Sequence, residues 1–269
     1  MSRFDSAVYI AGVARSGTSW IGQIFNSCPS VRFRFQPLFA YEFKNQVNED
    51  SSPADFQNLL DGIYESTGDF LLQKDKVEAG VYPQFTKENE TTLVFKENRY
   101  QSFIEPMMRK LPEVALLGVL RHPCAVLNSW KNNAKEFPAE CDIRKEWRFG
   151  NCKNTGNEDY FGYYKWKEVA HLYLDLKDKY PDRTYVLRYE DLVQDPLGVA
   201  GDLFNFFNIP LTDQTREFLE ASTSASQASY YSVYKTSDVT EKWKTDLDPS
   251  IAEEILADLS GTRLERFAQ

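Results

Sequence analysis

The sequence has 269 residues, of which 42% are hydrophobic and 26% are charged. This composition is typical of a folded globular protein and excludes a disordered chain, a collagen-like rod and a coiled coil. Because 40 Asp and Glu residues outnumber 31 Lys and Arg residues, the formal charge of −9 argues against binding to nucleic acid or an anionic membrane through the overall field. A small basic pocket remains compatible with that charge. A chain of this length is expected to form one domain, 1–269.

Short apolar runs, rich in branched residues and separated by helical patterns, follow one another along the chain. This arrangement is typical of the buried parallel strands of an α/β fold. Strands are predicted at Ala7–Val13, Val31–Phe35, Thr92–Phe95, Val114–Leu120 and Thr184–Arg188. Helices are predicted at Trp20–Asn26, Phe56–Glu65, Phe103–Lys110, Ala125–Glu136, Tyr160–Lys179, Leu197–Phe207, Gln214–Ala221 and Ile251–Leu259. The expected fold is a three-layer sandwich in which helices flank a central parallel sheet.

Two long segments, Phe137–Asp159 and Ser222–Thr245, lie between the predicted helices. Long loops in a compact domain are usually binding elements or lids. We therefore expect these two loops to lie over ligand sites.

The N-terminal residues are not expected to form a secretory leader, because Gly12 and Arg15 interrupt the first apolar run soon after it begins. No segment approaches the roughly 20 apolar residues that cross a bilayer. The sequence therefore predicts a cytoplasmic protein that does not bind membranes.

The four cysteines have no spacing that suits zinc, either with one another or with histidine, so no metal site is predicted. Cys28 and Cys124 are expected to be buried thiols. Cys141 and Cys152 bracket a polar loop, where a reducing cytoplasm favours free thiols and a disulfide is the alternative.

The first predicted strand runs into a turn that contains Gly12 and Gly17, and then into a helix. A strand, a tight turn and a helix N-terminus bring backbone N–H groups and the positive end of the helix dipole to one point, which binds a phosphate-like anion. The glycine spacing is similar to that of nucleotide hydrolases, but Thr18 replaces their lysine and the cation is Arg15. The missing lysine disfavours an ATP or GTP hydrolase or a kinase. The alternative is a serine-rich turn that binds no ligand.

A second candidate anion site follows the fourth predicted strand. Arg121 ends that strand, and Ser129 lies on the next helix. Ligands of open α/β sheets bind beyond the carboxyl ends of the strands, so Arg15 and Arg121 are expected to face one crevice. Two separated anion sites in one crevice indicate a ligand that carries a phosphate at each end.

With these segments the chain resembles the sulfotransferase family that uses 3′-phosphoadenosine 5′-phosphosulfate (PAPS). The resemblance covers most of the chain and implies a P-loop-type fold, PAPS as the sulfuryl donor and adenosine 3′,5′-bisphosphate (PAP) as a product. Arg121 and Ser129 match the 3′-phosphate motif of the family. The 5′-phosphosulfate loop is matched in the Arg-Ser-Gly form of carbohydrate and tyrosyl-protein members, by Arg15, Ser16, Gly17, Thr18, Ser19 and Trp20.

Two later residues extend the resemblance. Tyr189, within Tyr185–Leu192, resembles the tyrosine that lies near the adenine in the family. Lys235 precedes Trp243 and Lys244 and stands where cytosolic members have a basic loop for the 3′-phosphate. The four motifs occur in the family's order.

Sulfuryl transfer mainly requires alignment of the reactants and neutralisation of charge on the bridging and leaving oxygens. Arg15 and the backbone of the turn from Gly12 to Ser19, here called the phosphate loop, are expected to hold the 5′-phosphosulfate. Lys96, at the end of the third predicted strand, resembles the family lysine that reaches the bridging oxygen. A solvated lysine at a strand end is the alternative for Lys96.

The resemblance also implies a general base, and here the sequence departs from its relatives. Carbohydrate sulfotransferases have a glutamate before a proline after the second strand, where this chain has Gln36, whose amide is not a base at neutral pH. Glu42 is the favoured substitute, and Glu97 is the second choice. Asn98 stands about where cytosolic members have their catalytic histidine. An acceptor that is an amine would relax the need for a base.

The sequence thus predicts an enzyme that transfers a sulfuryl group to a hydroxyl or amine of a carbohydrate or small natural-product acceptor by in-line displacement. One alternative is a catalytically impaired relative that binds the phosphonucleotide, which Gln36 suggests. The other is a P-loop kinase. The sequence leaves the acceptor's identity and the oligomeric state open.

Overall fold

A parallel sheet of five strands forms the centre of the fold in the computed structural model, which describes residues 3–224 and 240–269. The strands are β1 (Ser6–Ala11), β2 (Val31–Phe35), β3 (Thr92–Glu97), β4 (Val114–Leu120) and β5 (Thr184–Arg188). Their order across the sheet is β2-β3-β1-β4-β5, and every pairing is parallel. Ala11 at the end of β1 pairs with Glu97 on one side and Gly118 on the other, so β1, β3 and β4 end at one edge.

Helices surround the sheet. Over the described residues they are α1 (Thr18–Asn26), α2 (Pro53–Glu65), α3 (Asp69–Leu72), α4 (Lys74–Glu78), α5 (Ile104–Lys110), α6 (Pro123–Lys131), α7 (Ile143–Glu146), α8 (Tyr163–Lys179), α9 (Tyr189–Gln194), α10 (Pro196–Phe206), α11 (Asp213–Ser224), α12 (Trp243–Asp246) and α13 (Pro249–Leu259). Short 3₁₀ turns lie at Gln101–Phe103 and Glu265–Ala268. In this part of the chain no helix combines the length and apolarity that a membrane crossing requires.

Each face of the sheet covers a separate hydrophobic core. Successive residues of β1 alternate between the two cores, with Tyr9 in one and Ile10 in the other. This alternation follows from the two-residue period of a strand. Helices α2, α5, α6, α8 and α13 contribute buried side chains to the core of Tyr9, whereas α1, α10 and α11 pack on the opposite face. The predicted three-layer sandwich is confirmed.

Local sequence signals define several helix starts. Ser52 and Asp55 form a reciprocal capping box before α2, and Asp195 and Asp248 cap α10 and α13. A proline occupies the first helical position in all three helices, where its missing N–H costs nothing. These helices therefore begin a few residues before their predicted starts.

Helix α6 is shorter than predicted. It ends at Lys131 instead of continuing to Glu136. The buried Asn133 explains the early end, because its backbone carbonyl accepts from the amides of Glu136 and Phe137 and its side chain accepts from the amide of Lys135. The resulting turn directs the chain across the carboxyl edge of the sheet.

The predicted long loops differ from expectation in part. The first contains the short helix α7. The second is shortened by α11, which continues to Ser224, and by α12, which starts at Trp243. The predicted donor residue Lys235 lies outside the described residues.

Candidate active site

A cavity of about 690 Å³ opens at the carboxyl ends of β1, β3 and β4. This is the edge at which ligands of open α/β sheets bind. The cavity is lined by the following residues predicted from the sequence: Arg15, Gly17, Thr18, Ser19, Trp20, Lys96, Arg121, Ser129 and Tyr189. Ser16 is fully buried beneath the loop. The structure thus brings together segments more than 170 residues apart in sequence.

The phosphate loop has the backbone shape of an anion site. Arg15 and Gly17 have positive φ angles of 73° and 89°, and α1 begins at the next residue, Thr18. Consecutive backbone N–H groups and the positive end of α1 therefore converge at the loop. Arg15 adopts the left-handed conformation at an energetic cost, which is common at functional sites.

Gly17 is required for both its backbone angle and its size. A Cβ built on it would lie 2.1 Å from the Tyr189 ring. We expect Gly17→Ala to lower the free energy of unfolding by about 2–5 kcal/mol, because strain at positive φ adds to the overlap with the ring. Thermal unfolding of the variant checks the loss.

Gly80 provides a matched control for this substitution. Its φ is also positive, at 68°, but a Cβ there would have no heavy atom within 4 Å. Gly80→Ala therefore carries the backbone strain without the overlap. An equal fall in melting temperature for both variants would contradict the proposed role of the Tyr189 contact.

Asn98 connects the phosphate loop to the neighbouring strands. Its Nδ2 donates to the carbonyl oxygens of Gly12, at 2.9 Å, and Val13, at 3.1 Å. Its Oδ1 accepts from Nε2 of Gln36 at 3.0 Å. Asn98 therefore fixes the loop and the side chain of Gln36, a role that the sequence analysis missed because it depends on tertiary contacts.

Arg15 and Arg121 lie side by side. Nη1 of Arg121 donates to the backbone carbonyl of Arg15 at 3.0 Å, and Nε of Arg15 donates to the Ser129 hydroxyl at 3.1 Å. The Arg121 guanidinium carbon lies 5.2 Å from the centroid of the Tyr189 ring. Burial lowers the pKa of Arg121, and the nearby positive charge of Arg15 adds to this effect. The buried guanidinium of Arg121 and the partly buried guanidinium of Arg15 together make this part of the cavity favourable for anions.

Lys96 lies against the aromatic wall of the cavity. Its side chain is buried, with Nζ 4.6 Å from the centroid of the Phe35 ring. Burial lowers the pKa of Lys96 to about 7, Glu97 and Glu136 act to raise it, and Arg15 acts to lower it further. A bound anion would favour the charged ammonium. The solvated strand-end lysine considered from the sequence is therefore wrong.

The two carboxylates predicted as bases do not line this cavity. Glu42 is exposed, and its Oε2 accepts a hydrogen bond from the Ser66 hydroxyl at 2.8 Å. Glu97 follows Lys96 on β3, so the alternation of strand side chains directs it to the opposite face of the sheet. There its Oε1 accepts from the Leu38 amide at 2.6 Å, and burial raises the pKa of Glu97 to about 8.

Three other carboxylates line the cavity among the described residues: Asp75, Glu136 and Asp159. Asp159 is buried and bound to Arg99 and to the backbone and hydroxyl of Thr155. Glu136 lies near Arg15. The sequence analysis missed Glu136 because it placed this residue at the end of a continuous helix.

The cavity is locally basic in an acidic chain. Its cations outnumber the three carboxylates and are Arg15, Lys76, Lys96, Arg99, Arg121, Lys135 and Lys153. Within the described ranges, no group of His, Cys, Asp and Glu is arranged to hold a metal ion. The two cysteines that bracket the first long loop, Cys141 and Cys152, are free thiols, and Cys152 lines the cavity.

Comparison with known proteins gives the family. A model of the sulfotransferase family matches residues 7–213. The chain belongs to the sulfotransferase family. It is 27% identical over 169 residues to carbohydrate sulfotransferase 3 of Tetronarce californica, covering 57% of this chain and 36% of that protein. It is 33% identical over 177 residues to carbohydrate sulfotransferase 3 of Mus musculus, covering 59% and 35%. The chain thus spans about a third of the length of these curated relatives.

A solved sulfotransferase structure shares the fold. The crystal structure of a mouse sulfotransferase complexed with PAP superimposes on the chain with a TM-score of 0.56 at 10% sequence identity. The superposition covers 99% of this chain and 89% of that one. The predicted family and the predicted P-loop-type α/β fold are therefore confirmed.

Proposed function

We propose that this sulfotransferase transfers the sulfuryl group of PAPS to a hydroxyl or amine of a carbohydrate or small-molecule acceptor by in-line displacement. The observation that carries the proposal is the shared cavity in which Arg15, Arg121 and the N-terminus of α1 lie together. PAPS carries anionic groups at both ends of a nucleoside and matches this arrangement. The solved relative that binds PAP supports the same donor.

The donor is held at two points. The 5′-phosphosulfate lies on the phosphate loop, where Arg15, Thr18 and Ser19 surround it. Arg121 and Ser129 bind the 3′-phosphate. Lys235 remains part of this proposal as a further 3′-phosphate ligand.

The adenine lies near Trp20 and Tyr189. These two side chains line the cavity and pack edge to face, with ring centroids 6.2 Å apart. Aromatic walls of this kind bind a purine through its apolar faces. The Tyr189 ring also lies next to the Arg121 guanidinium, so adjacent residues bind the adenine and the 3′-phosphate.

Transfer places developing negative charge on the oxygen that bridges phosphorus and sulfur. The Lys96 ammonium reaches this oxygen and stabilises the leaving group as the S–O bond breaks. Its burial among Phe35 and the strand ends excludes water, which strengthens the electrostatic contribution. Lys96 and Arg15 together thus supply the positive charge that the reaction requires.

The acceptor lies against an aromatic surface opposite the donor. Phe35, Phe39 and Phe70 line the cavity, and Phe70, on the short helix α3, packs against both of the others. Phe39 is 41% exposed and Phe70 is 43% exposed, which is unusual for large apolar side chains unless they bind something. The apolar face of a sugar ring, or a small hydrophobic acceptor, fits such a surface.

The test is turnover by the whole chain. We expect incubation with PAPS and a panel of sugars, amines and phenols to release PAP and to give a sulfated product that mass spectrometry identifies. PAP binding without release would instead favour the impaired relative suggested by Gln36. ADP formation from ATP and Mg²⁺ would favour a kinase and contradict the proposal.

A further inference from the structure

Sulfuryl transfer needs a general base that removes a proton from the acceptor. In this chain the position of the base in carbohydrate sulfotransferases is occupied by the amide of Gln36. Gln36 is fixed by its hydrogen bond to Asn98, and an amide does not take up a proton at neutral pH. Glu42 and Glu97 lie outside the cavity lining. This inference rests on the proposed function and asks which residue of the cavity replaces the missing base.

Two of the three cavity carboxylates are poorly suited to the role. Asp159 is buried, and its Oδ2 accepts from the amide and hydroxyl of Thr155 and from the amide of Gly156, at 2.9–3.1 Å. Its Oδ1 accepts from Arg99. Asp75 is exposed in the first turn of α4. Asp159 therefore holds Arg99 and its own loop, while Asp75 is open to solvent.

Glu136 differs from both in its position relative to the transfer machinery. Its Oε2 lies 3.8 Å from Nη1 of Arg15, and its charge also acts on Lys96. Its side chain is partly buried and lines the same cavity. The carboxylate therefore lies beside Arg15, which holds the phosphosulfate in the proposed complex, and acts electrostatically on Lys96.

The end of α6 builds this position. The buried Asn133 donates from Nδ2 to Oε2 of Glu136 at 3.0 Å, and the Trp130 indole donates to the Glu136 carbonyl at 3.0 Å. These bonds fix both the backbone and the side chain of Glu136. Helix α6 carries Ser129, and the turn that follows this helix carries Glu136, so two adjacent segments present a donor ligand and the carboxylate to the cavity.

We propose that Glu136 is the general base that removes the proton from the acceptor. A lone pair of the acceptor oxygen or nitrogen forms the new bond to sulfur, and the bond from sulfur to the bridging oxygen breaks with its electron pair left on PAP. The acceptor's proton passes to the Glu136 carboxylate and then to solvent. Before PAPS binds, the Glu136 carboxylate forms an ion pair with Arg15. When PAPS binds, its phosphosulfate replaces Glu136 as the ionic partner of Arg15.

The test compares Glu136→Gln with the wild-type chain. We expect the turnover number to fall by about a hundredfold or more, since general bases contribute roughly 10²–10⁴-fold. The dissociation constant of PAP should change by less than about threefold, or tighten, because the variant removes a negative charge beside the anion site. Formate should restore part of the activity of Glu136→Ala, whereas a purely structural role gives no such rescue.

Glu140→Gln is the matched control. Glu140 is an exposed carboxylate of the same segment and does not line the cavity, so its variant should keep wild-type turnover. Retained turnover in Glu136→Gln would overturn the inference and leave the proposed function intact. A loss of PAP affinity without a change in turnover number would reduce Glu136 to a support for Arg15 and also overturn it. Wild-type protein that releases no PAP from PAPS would contradict the proposed function itself.

Discussion

Replacing Arg121 with alanine is expected to weaken the binding of PAP by about 30-fold or more. The side chain is 8% exposed and supports the phosphate loop through the carbonyl of Arg15. Truncating one member of a buried pair of opposite charges costs about 2–5 kcal/mol, and each 1.4 kcal/mol is tenfold in affinity. Isothermal titration calorimetry of the folded variant with PAP measures the change. Arg15→Ala is expected to give a loss of similar size, because in the proposed complex its guanidinium binds the 5′ end of the same nucleotide.

Arg216→Ala is a suitable control for the effect of net charge. Arg216 is exposed on α11 and does not line the cavity, so removing it changes the overall charge by the same amount. Its variant should bind PAP as the wild type does. Unchanged PAP affinity in both Arg121→Ala and Arg15→Ala would contradict the proposed donor site.

Replacing Lys96 with methionine is expected to lower the turnover number by about 10²–10³-fold, the usual effect of losing one hydrogen-bond donor that stabilises transition-state charge.

The same substitution should also change how the affinity for the sulfuryl donor depends on pH. Since the pKa of Lys96 is lowered to about 7 without the donor, an anionic ligand must bind together with a proton above that pH. Wild-type affinity should then fall by up to about tenfold per pH unit above pH 7, and the methionine variant should lack this part of the slope.

The same pKa predicts the effect of Lys96 on stability. Because the folded-state pKa lies below the unfolded value of roughly 10.4, the unfolded chain binds more protons between pH 7 and that value. The contribution of Lys96 to the free energy of unfolding therefore rises with pH across this range. Below pH 7 its full burial penalty remains, so Lys96→Met should be more stable than the wild type there.

Lys87→Met controls for the loss of a buried lysine. The pKa of Lys87 is lowered to about 8 by burial, and its Nζ donates to the carbonyl oxygens of Asn26 and Val31, away from the cavity lining. This variant should unfold at a lower temperature and keep its turnover number. Equal turnover in Lys96→Met and the wild type would remove Lys96 from the mechanism.

Much of the sheet and the donor site could be predicted from the sequence because their signals are local. Strands β2, β4 and β5 have their predicted bounds. The clearest signal is that of β4, which is a continuous apolar run, as expected of a buried parallel strand. The phosphate loop is likewise encoded in one short segment. Arg121 was placed in the same crevice because the carboxyl ends of parallel strands share one edge.

The acceptor side of the cavity was less predictable because it depends on tertiary contacts. Short helices such as α3, which carries Phe70, bury few residues and have no clear periodic pattern. The place of Glu136 in the cavity could not be predicted, because the helical sequence pattern continues beyond Lys131, where α6 ends and Asn133 forms a turn. The single domain, the cytoplasmic location and the role of Lys235 stay predictions.

The cation cluster has a consequence for folding. Arg15 follows β1, Lys96 is the penultimate residue of β3, Arg121 follows β4 and Tyr189 follows β5, so no short fragment of the chain contains all four residues. Such long-range parallel pairing forms slowly. A nucleotide that binds only the assembled sheet shifts the folding equilibrium toward the native state by mass action. The cellular supply of that nucleotide would then help to determine how many molecules escape degradation.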